Sequence, residues 1–310
     1  MERKNNILTD QRIVALLAFI SCALWGSAFS AVKTGYALLG IRSNAWADQL
    51  TFGGIRFAVA GVMALAFGSI RAKKLLLPNR RTFPKICIIS LFQTVLQYFC
   101  YYIGLANTSG VRASVLVGMN VFTAILISSL LLRIEKLTAR SILGCTVGFL
   151  GLVLINLDGL QGSFRFLGDG MILLCTVASG FSSAFMKKLS GGEDPVLLSG
   201  WQFLLGGLVL DGIGLLGGGT PGHFSGPAVL LLLYLAFISA AAYSLWALLL
   251  KYNPVSRVAV YGFMNPVCGV IISAAVLGES GQITLRFVTA LLLVCAGIVI
   301  VNLTGRHSGA

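Results

Sequence analysis

A small set of polar side chains stands inside stretches that are otherwise apolar, and their types decide what chemistry is available. Arg56 is a basic residue well inside such a run. A guanidinium there can dock a carboxylate or phosphate in bidentate fashion, or it can snorkel or bind backbone carbonyls. If the run crosses a bilayer, a central charge costs about 2.5–3.5 kcal/mol, so it should face a cavity or a partner. Gln93, Gln97 and Tyr101 recur at i, i+4 and i+8 and so share one face of a helix, with Tyr98 and Tyr102 beside them. That face either lines a wet cavity or packs against other helices. Trp25, Asn120, Gln202, Tyr243, Trp246, Tyr261 and Asn265 sit near the middle of their own runs and could complete a lining. Rings and amides together suit amphipathic or zwitterionic solutes, held by stacking and hydrogen bonds. Asp211 is the acid placed within a run and is the candidate for coupling to protons, although facilitated transport needs no such group. Glu135 and Glu279 fall at helix ends, where interfacial roles are expected. With no acid at the centre of any run, neutral, zwitterionic or anionic cargo is favoured over the cationic drugs that proton-coupled exporters bind on such an acid.

The elements that must position these residues follow from composition. Of 310 residues, 57% are hydrophobic and 33 are charged. A soluble chain of this length carries about 78 charges, so a soluble enzyme is excluded. Ten apolar runs are long enough for a membrane helix of roughly 20 residues: 13–32, 50–70, 86–106, 113–132, 141–157, 168–186, 196–216, 228–250, 258–277 and 283–303. Backbone groups in lipid must be satisfied within the segment, so the runs should be helical, and the alternation of a membrane barrel is absent. The first run has the basic start and small residues of a secretory signal, but nine more runs follow it, so it reads as an uncleaved helix. The expected fold is therefore an all-α membrane protein of ten transmembrane helices, with tails at 1–12 and 304–310.

The net charge of +13 could suggest nucleic acid, but the basic residues lie between apolar runs. With the N-terminus cytoplasmic, 17 of the 23 Lys and Arg fall on the inside and 5 outside, with Arg56 in a span. That is the positive-inside pattern, and it places both termini in the cytoplasm of a multi-pass protein of the bacterial inner membrane.

The chain also repeats itself. Met119-Asn120 aligns with Met264-Asn265, Arg112 with Arg257, and Glu135 with Glu279. Upstream, Arg56-Phe57 aligns with Gln202-Phe203, Tyr98 with Tyr243, and Lys33 with Lys187. Residues 13–157 and 168–303 are thus two copies of a five-helix unit. Five is odd, so the second copy must insert upside down. The loops agree: 71–85 holds six basic residues and its counterpart 211–227 none. Inverted repeats are typical of secondary transporters, because exchanging the conformations of the halves exchanges inward- and outward-facing states. Duplication could also simply enlarge a bundle.

The segment ALWGSAFSAVK (23–33), the Arg-Phe of span two, the passage GLANTSGVRASVLVGMN (104–120) and Glu135-x-Leu137-Thr138 resemble EamA-type transporters of the drug/metabolite transporter superfamily. Two features depart from that pattern. Val121 stands where the second copy has Pro266, and the second copy shows Ser179-Gly180 in place of Trp-Gly. The resemblance implies export or exchange of small metabolites without nucleotide hydrolysis; amino acids and related amphipathic solutes fit the polar inventory, and multidrug export is the alternative.

Other chemistry finds little support. The seven cysteines form no C-x-x-C and read as reduced packing residues. His223 and His307 lie in a loop and a tail, so no metal site is expected. No phosphate-cradling G-x-x-x-x-G-K-[ST] loop occurs, and no cofactor is implied. A membrane enzyme would need a nucleophile with its base or paired acids, and a non-transporting scaffold has no feature in its favour. The expected partners are a small-molecule substrate and the bilayer, not nucleic acid, with the protein monomeric or homodimeric. Gly144, Gly148 and Gly151 on one face of span five read as a close helix contact.

Overall fold

The computed structural model describes residues 7–42, 44–108, 110–155, 157, 163–220, 222, 224–277 and 285–303. Glu279, His223, His307 and the tails at 1–6 and 304–310 lie outside them. Among the described residues every regular element is helical. Helices α1 (Gln11–Leu39) and α2 (Trp46–Ala72) come first. Helix α3 runs over Phe83–Ser90, through a π stretch at Leu91–Leu96, and on over Gln97–Asn107. Helix α4 is Gly110–Val117 followed by Asn120–Leu126 and a π turn at Ile127–Leu131. Then come α5 (Ala139–Ile155), α6 (Phe166–Gly170 and Met171–Leu189), α7 (Pro195–Leu216) and α8 (Gly226–Tyr252). Helix α9 combines Val255–Ala259, a 3-10 turn Val260–Phe263 and Met264–Leu277, and α10 is Leu285–Asn302.

Helical segments fall on all ten apolar runs. Among the described residues seven helices are long and apolar enough to cross a membrane, and Val115–Leu131 and Ala139–Leu154 are shorter apolar helices. Large apolar side chains such as Leu16, Val62, Leu208, Leu230 and Leu292 are exposed on the outside of the bundle, as expected where lipid is the solvent. The helix ends follow local rules. Asp10 and Asp194 cap α1 and α7, their carboxylates accepting from the N–H groups of Arg12 and Val196 at 2.8 and 2.7 Å. Gly40 ends α1 in the left-handed region at φ 66°.

The packing has an internal two-fold pattern. Helix α1 packs on α8 and α9, while its counterpart α6 packs on α3 and α4. Helix α2 contacts α8, and its counterpart α7 contacts α3. The remaining equivalents pair with each other, α2 with α7 and α5 with α10. Both pairs are antiparallel: Gly54, Gly61 and Gly68 of α2 face Asp211, Gly200 and Val196 in turn, and Gly144 and Gly151 of α5 face Val301 and Ala290. Equivalent helices that cross in opposite directions place the two-fold axis perpendicular to the bundle, so the repeats are inverted. Glycines permit these crossings. A Cβ on Gly61 would lie 2.7 Å from the Gly200 carbonyl oxygen, and one on Gly144 would lie 2.7 Å from that of Gly297. Small residues allow such close approach in membranes.

The basic loops gather at one end of the bundle. There Lys85 Nζ pairs with Glu193 Oε1 at 2.7 Å, Lys251 Nζ donates to the Glu193 carbonyl at 2.6 Å, and Trp201 Nε1 donates to the Leu76 carbonyl at 2.8 Å. Glu135 accepts from the Ser128 hydroxyl at 2.7 Å and from the Ser256 N–H at 3.1 Å, tying the end of α4 to the start of α9.

Two of the spans expected as continuous helices are interrupted. Helix α4 breaks into a turn at Gly118-Met119, and α9 tightens to 3-10 geometry over Val260–Phe263. The repeat alignment puts the two interruptions at the same place, around the aligned Met-Asn pairs. In α9 the cause is Pro266, whose missing N–H leaves the Gly262 carbonyl without its i+4 donor. In α4, where Val121 replaces that proline, the break falls at Gly118, where a Cβ would run into the Leu152 side chain.

Candidate functional site

The two-fold axis passes through aromatic rings. Tyr98 of α3 and its repeat counterpart Tyr243 of α8 share a hydrogen bond, Oη to Oη, of 2.7 Å. Beneath them Phe57 of α2 and its counterpart Phe203 of α7 stack with centroids 5.3 Å apart and planes 6° from parallel. Phe57 also meets Tyr98 at 4.3 Å, and Phe203 meets Tyr243 at 5.0 Å. The cluster extends from there. The Trp25 ring stands edge-on to Tyr243 and Trp246 at 4.8 and 5.1 Å, and Tyr101 lies 6.2 Å from Tyr98. Five of the expected lining residues therefore form one connected group drawn from α1, α3 and α8. Phe57 and Phe203 are fully buried, whereas Trp25, Tyr98, Tyr101, Tyr243 and Trp246 are half-buried.

The stripe drawn through Gln93, Gln97 and Tyr101 assumes a regular helix. The π stretch Leu91–Leu96 contains the first of these residues and ends just before the second. It inserts extra chain per turn and shifts the register beyond it. Consequently Tyr98 is the residue that reaches across to Tyr243, and Tyr102 is the ring buried against Gly53. Gln93 is buried and Gln97 half-buried.

Two polar pairs flank the rings, again as repeat counterparts. Arg56 of α2 donates from Nε and Nη2 to the Ser239 hydroxyl of α8 at 3.2 and 2.9 Å. Gln202 of α7, at the same position of the second repeat, accepts from the Thr94 hydroxyl of α3 at 2.6 Å. Thr94 and Ser239 are themselves equivalent by the offset that relates Tyr98 to Tyr243. Sequence reasoning missed both hydroxyls and the two phenylalanines, although the repeat alignment would have found them.

The remaining expected residues divide. Asn120 and Tyr261 stand at the paired interruptions. The Asn120 amide lies beside Gly262, and the Tyr261 carbonyl accepts from Cys22 Sγ of α1 at 3.2 Å. Asn265 sits just beyond, with its Oδ1 buried and unpartnered. Asp211 is elsewhere, with its backbone and Cβ against Gly54 at the α2–α7 crossing and its Oδ1 buried without a partner. Trp25 Nε1 and Gln202 Nε2 are also buried and unpartnered. Among the described residues, no group of three or more His, Cys, Asp or Glu could hold a metal.

Inverted repeats, equivalent helices broken at one level and an aromatic-polar centre on the two-fold axis define a class: multi-pass membrane transporters. The sequence comparisons agree. The EamA-like transporter family model matches residues 12–157 and again 166–303, so the chain belongs to that family. An uncharacterized transporter of Archaeoglobus fulgidus is 26% identical over 91% of this chain and 96% of its own length. The uncharacterized transporter YvbV of Bacillus subtilis is 26% identical over 98% of this chain and 95% of its own. A crystal structure only 16% identical in sequence shares the fold, with a TM-score of 0.79 over 97% of this chain and 100% of the other.

Proposed function

We propose that this chain is a secondary transporter that exports or exchanges small metabolites, amino acids or related amphipathic solutes, by alternating access. It crosses the membrane ten times, with both termini in the cytoplasm of a bacterial cell. The observation that carries this reading is the pair of interruptions in α4 and α9. Transporters of this architecture bind cargo at discontinuous helices where the repeats meet.

The packing of those helices supports a direction for the cycle. The second half of α4 packs on the start of α9, with Glu135 joining them. The first half of α4 packs instead on α6 and α3, and the second half of α9 on α1. The V formed by α4 and α9 is thus closed at the basic end and spreads toward the other, an outward-facing arrangement. Two-fold exchange of the halves would give its inward-facing counterpart. Cargo in this reading sits between Trp25, Tyr98, Tyr101, Tyr243 and Trp246 on one side and Asn120, Tyr261 and Asn265 on the other, with Arg56, Gln93, Gln97 and Gln202 contributing polar contacts and Asp211 available for protons.

The test is counterflow. Purified protein in liposomes preloaded with unlabelled amino acids should accumulate the labelled species transiently, without nucleotide. Absence of counterflow across the common amino acids and their deaminated acids would count against the reading.

A further inference from the structure

Cargo chemistry turns on Arg56. We propose that the cargo presents an anionic group, a carboxylate, to the Arg56 guanidinium. The inference rests on the transport reading for its place in a cycle, but not for the binding itself.

Three observations converge. The first is an uncompensated charge. Arg56 is 5% exposed, and a charge so buried is ordinarily paired. Among the described residues the side-chain ion pair is Lys85 with Glu193, at the basic end, and no carboxylate pairs with Arg56. Asp211, the acid of the facing helix, has its backbone and Cβ against Gly54, two residues and more than half a helical turn away from the Arg56 side chain. A guanidinium offers five N–H donors; those of Arg56 reach the Ser239 hydroxyl, from Nε and Nη2, and the Tyr102 phenol, and neither partner carries a charge. Its other neighbours are neutral: the Phe57 ring 4.9 Å away, and the phenols of Tyr36, Tyr98, Tyr101 and Tyr243, which its charge reaches.

The second observation is a surplus of buried donors on the helices that carry the rings. Trp25 Nε1 and Gln202 Nε2 are buried N–H groups without acceptors. Trp25 is edge-on to Tyr243, and Gln202 precedes Phe203 of the same ring cluster. Buried polar groups are rarely left unsatisfied. A cation and unused N–H donors around one aromatic centre call for a ligand that accepts hydrogen bonds and carries negative charge. The carboxylate is the planar group a guanidinium matches in bidentate fashion.

The third observation comes from the repeat. Gln202 fills the Arg56 position of the second copy and accepts from the Thr94 hydroxyl where Arg56 donates to that of Ser239. A neutral amide therefore suffices for the structural task of joining α7 to α3. By the two-fold equivalence it would suffice for α2 and α8 as well, so the charge of Arg56 answers to something else.

Arg56→Gln is the informative variant, because it converts one repeat position into its counterpart. Full-length protein in uncharged detergent would be heated with phenylacetate, 4-methylvalerate and L-phenylalanine, and with phenylacetamide and phenethylamine as neutral and cationic counterparts. The expected result is that at least one carboxylate raises the melting temperature of the wild type while its amide does not. Arg56→Gln should weaken that carboxylate at least tenfold, and Arg56→Lys should keep part of the affinity. If no carboxylate binds, if the amide binds as well, or if Arg56→Gln binds the carboxylate like the wild type, the proposal is overturned. Should Arg56→Gln fail to fold, the wild-type comparison of acid with amide decides alone. Counterflow separates this from the transport reading. Carboxylate binding without counterflow would leave the site and remove the transporter, whereas counterflow of neutral solutes with no carboxylate binding would do the opposite.

Discussion

Replacing Gly207 by alanine tests the crossing of α2 and α7, on which the two-fold arrangement hinges. A Cβ there would lie 2.7 Å from the carbonyl oxygen of Gly54, and ordinary contact begins at 3.4 Å. The Ala58 backbone nitrogen lies closer still, so the helices must part by more than 0.7 Å at this point, and because the obstacle is backbone, no rotamer change relieves it. Overpacking of this kind costs typically 1–3 kcal/mol. Against it stands the better helix propensity of alanine, worth up to about 1 kcal/mol. A net loss of ~1 kcal/mol corresponds to roughly 2–4 °C in melting temperature for a large domain. Gly212 on the same helix supplies the control, since a Cβ there meets nothing within 4 Å. Thermal unfolding in detergent should rank Gly212→Ala at or slightly above the wild type and Gly207→Ala clearly below it. Gly54→Ala strains the same crossing, so the double variant should lose less than the sum of the singles, as neighbouring sites do. A Gly207→Ala protein as stable as Gly212→Ala would refute the closeness of the crossing and with it the packing of the two repeats.

Other expectations follow from single contacts. Tyr98→Phe or Tyr243→Phe orphans the partner hydroxyl, so each should destabilise by about 1 kcal/mol and the double variant by less than the sum; strict additivity in a double-mutant cycle would mean that the 2.7 Å bond is not made. Glu135→Ala removes an acceptor shared by Ser128 and Ser256, at a cost of roughly 2 kcal/mol for charged hydrogen bonds. Ser256→Ala should cost less, because the backbone N–H of residue 256 still donates; equal losses on thermal unfolding would contradict this. A cysteine replacing Leu77 in the loop after α2 should be shielded from an impermeant thiol reagent added outside cells, and one replacing Gly218 after α7 should be labelled. The reverse pattern would overturn the orientation.

The runs of α1 to α10 were legible because hydropathy is a strong signal, and the inversion was legible because five is odd and duplicated loops differ in charge. The break in α4 was not. Hydropathy continues unchanged across Gly118, and a glycine that interrupts a helix looks like Gly144, which only packs. The break in α9 carried one mark, Pro266, which reads equally as a hinge or as a purely structural kink. The π stretch in α3 leaves no compositional trace, so the Gln93–Gln97–Tyr101 stripe was drawn one register away from the residue that crosses to α8. Phe57 and Phe203 were read as part of a repeated motif rather than as stacked rings. Ser239 and Thr94 carry no signal of their own, since a single hydroxyl in a membrane helix usually bonds to its own backbone, as Ser21 does to Leu17. What marks them is their partner across the bundle, and only the repeat offset reveals that.

The central claim is that α4 and α9 part at the basic end during each transport cycle. Val121 and Gly262 meet at the apex of that closed half, level with the interruptions, with the Cβ position of residue 262 only 3.5 Å from a Val121 methyl, within reach of the Cβ spacing of a disulfide, about 3.5–4.5 Å. With the exposed Cys87 and Cys295 replaced by serine, a protein carrying Val121→Cys and Gly262→Cys should cross-link on mild oxidation. Counterflow should then stop and return on reduction. Full counterflow by the oxidised, fully cross-linked protein would contradict the account.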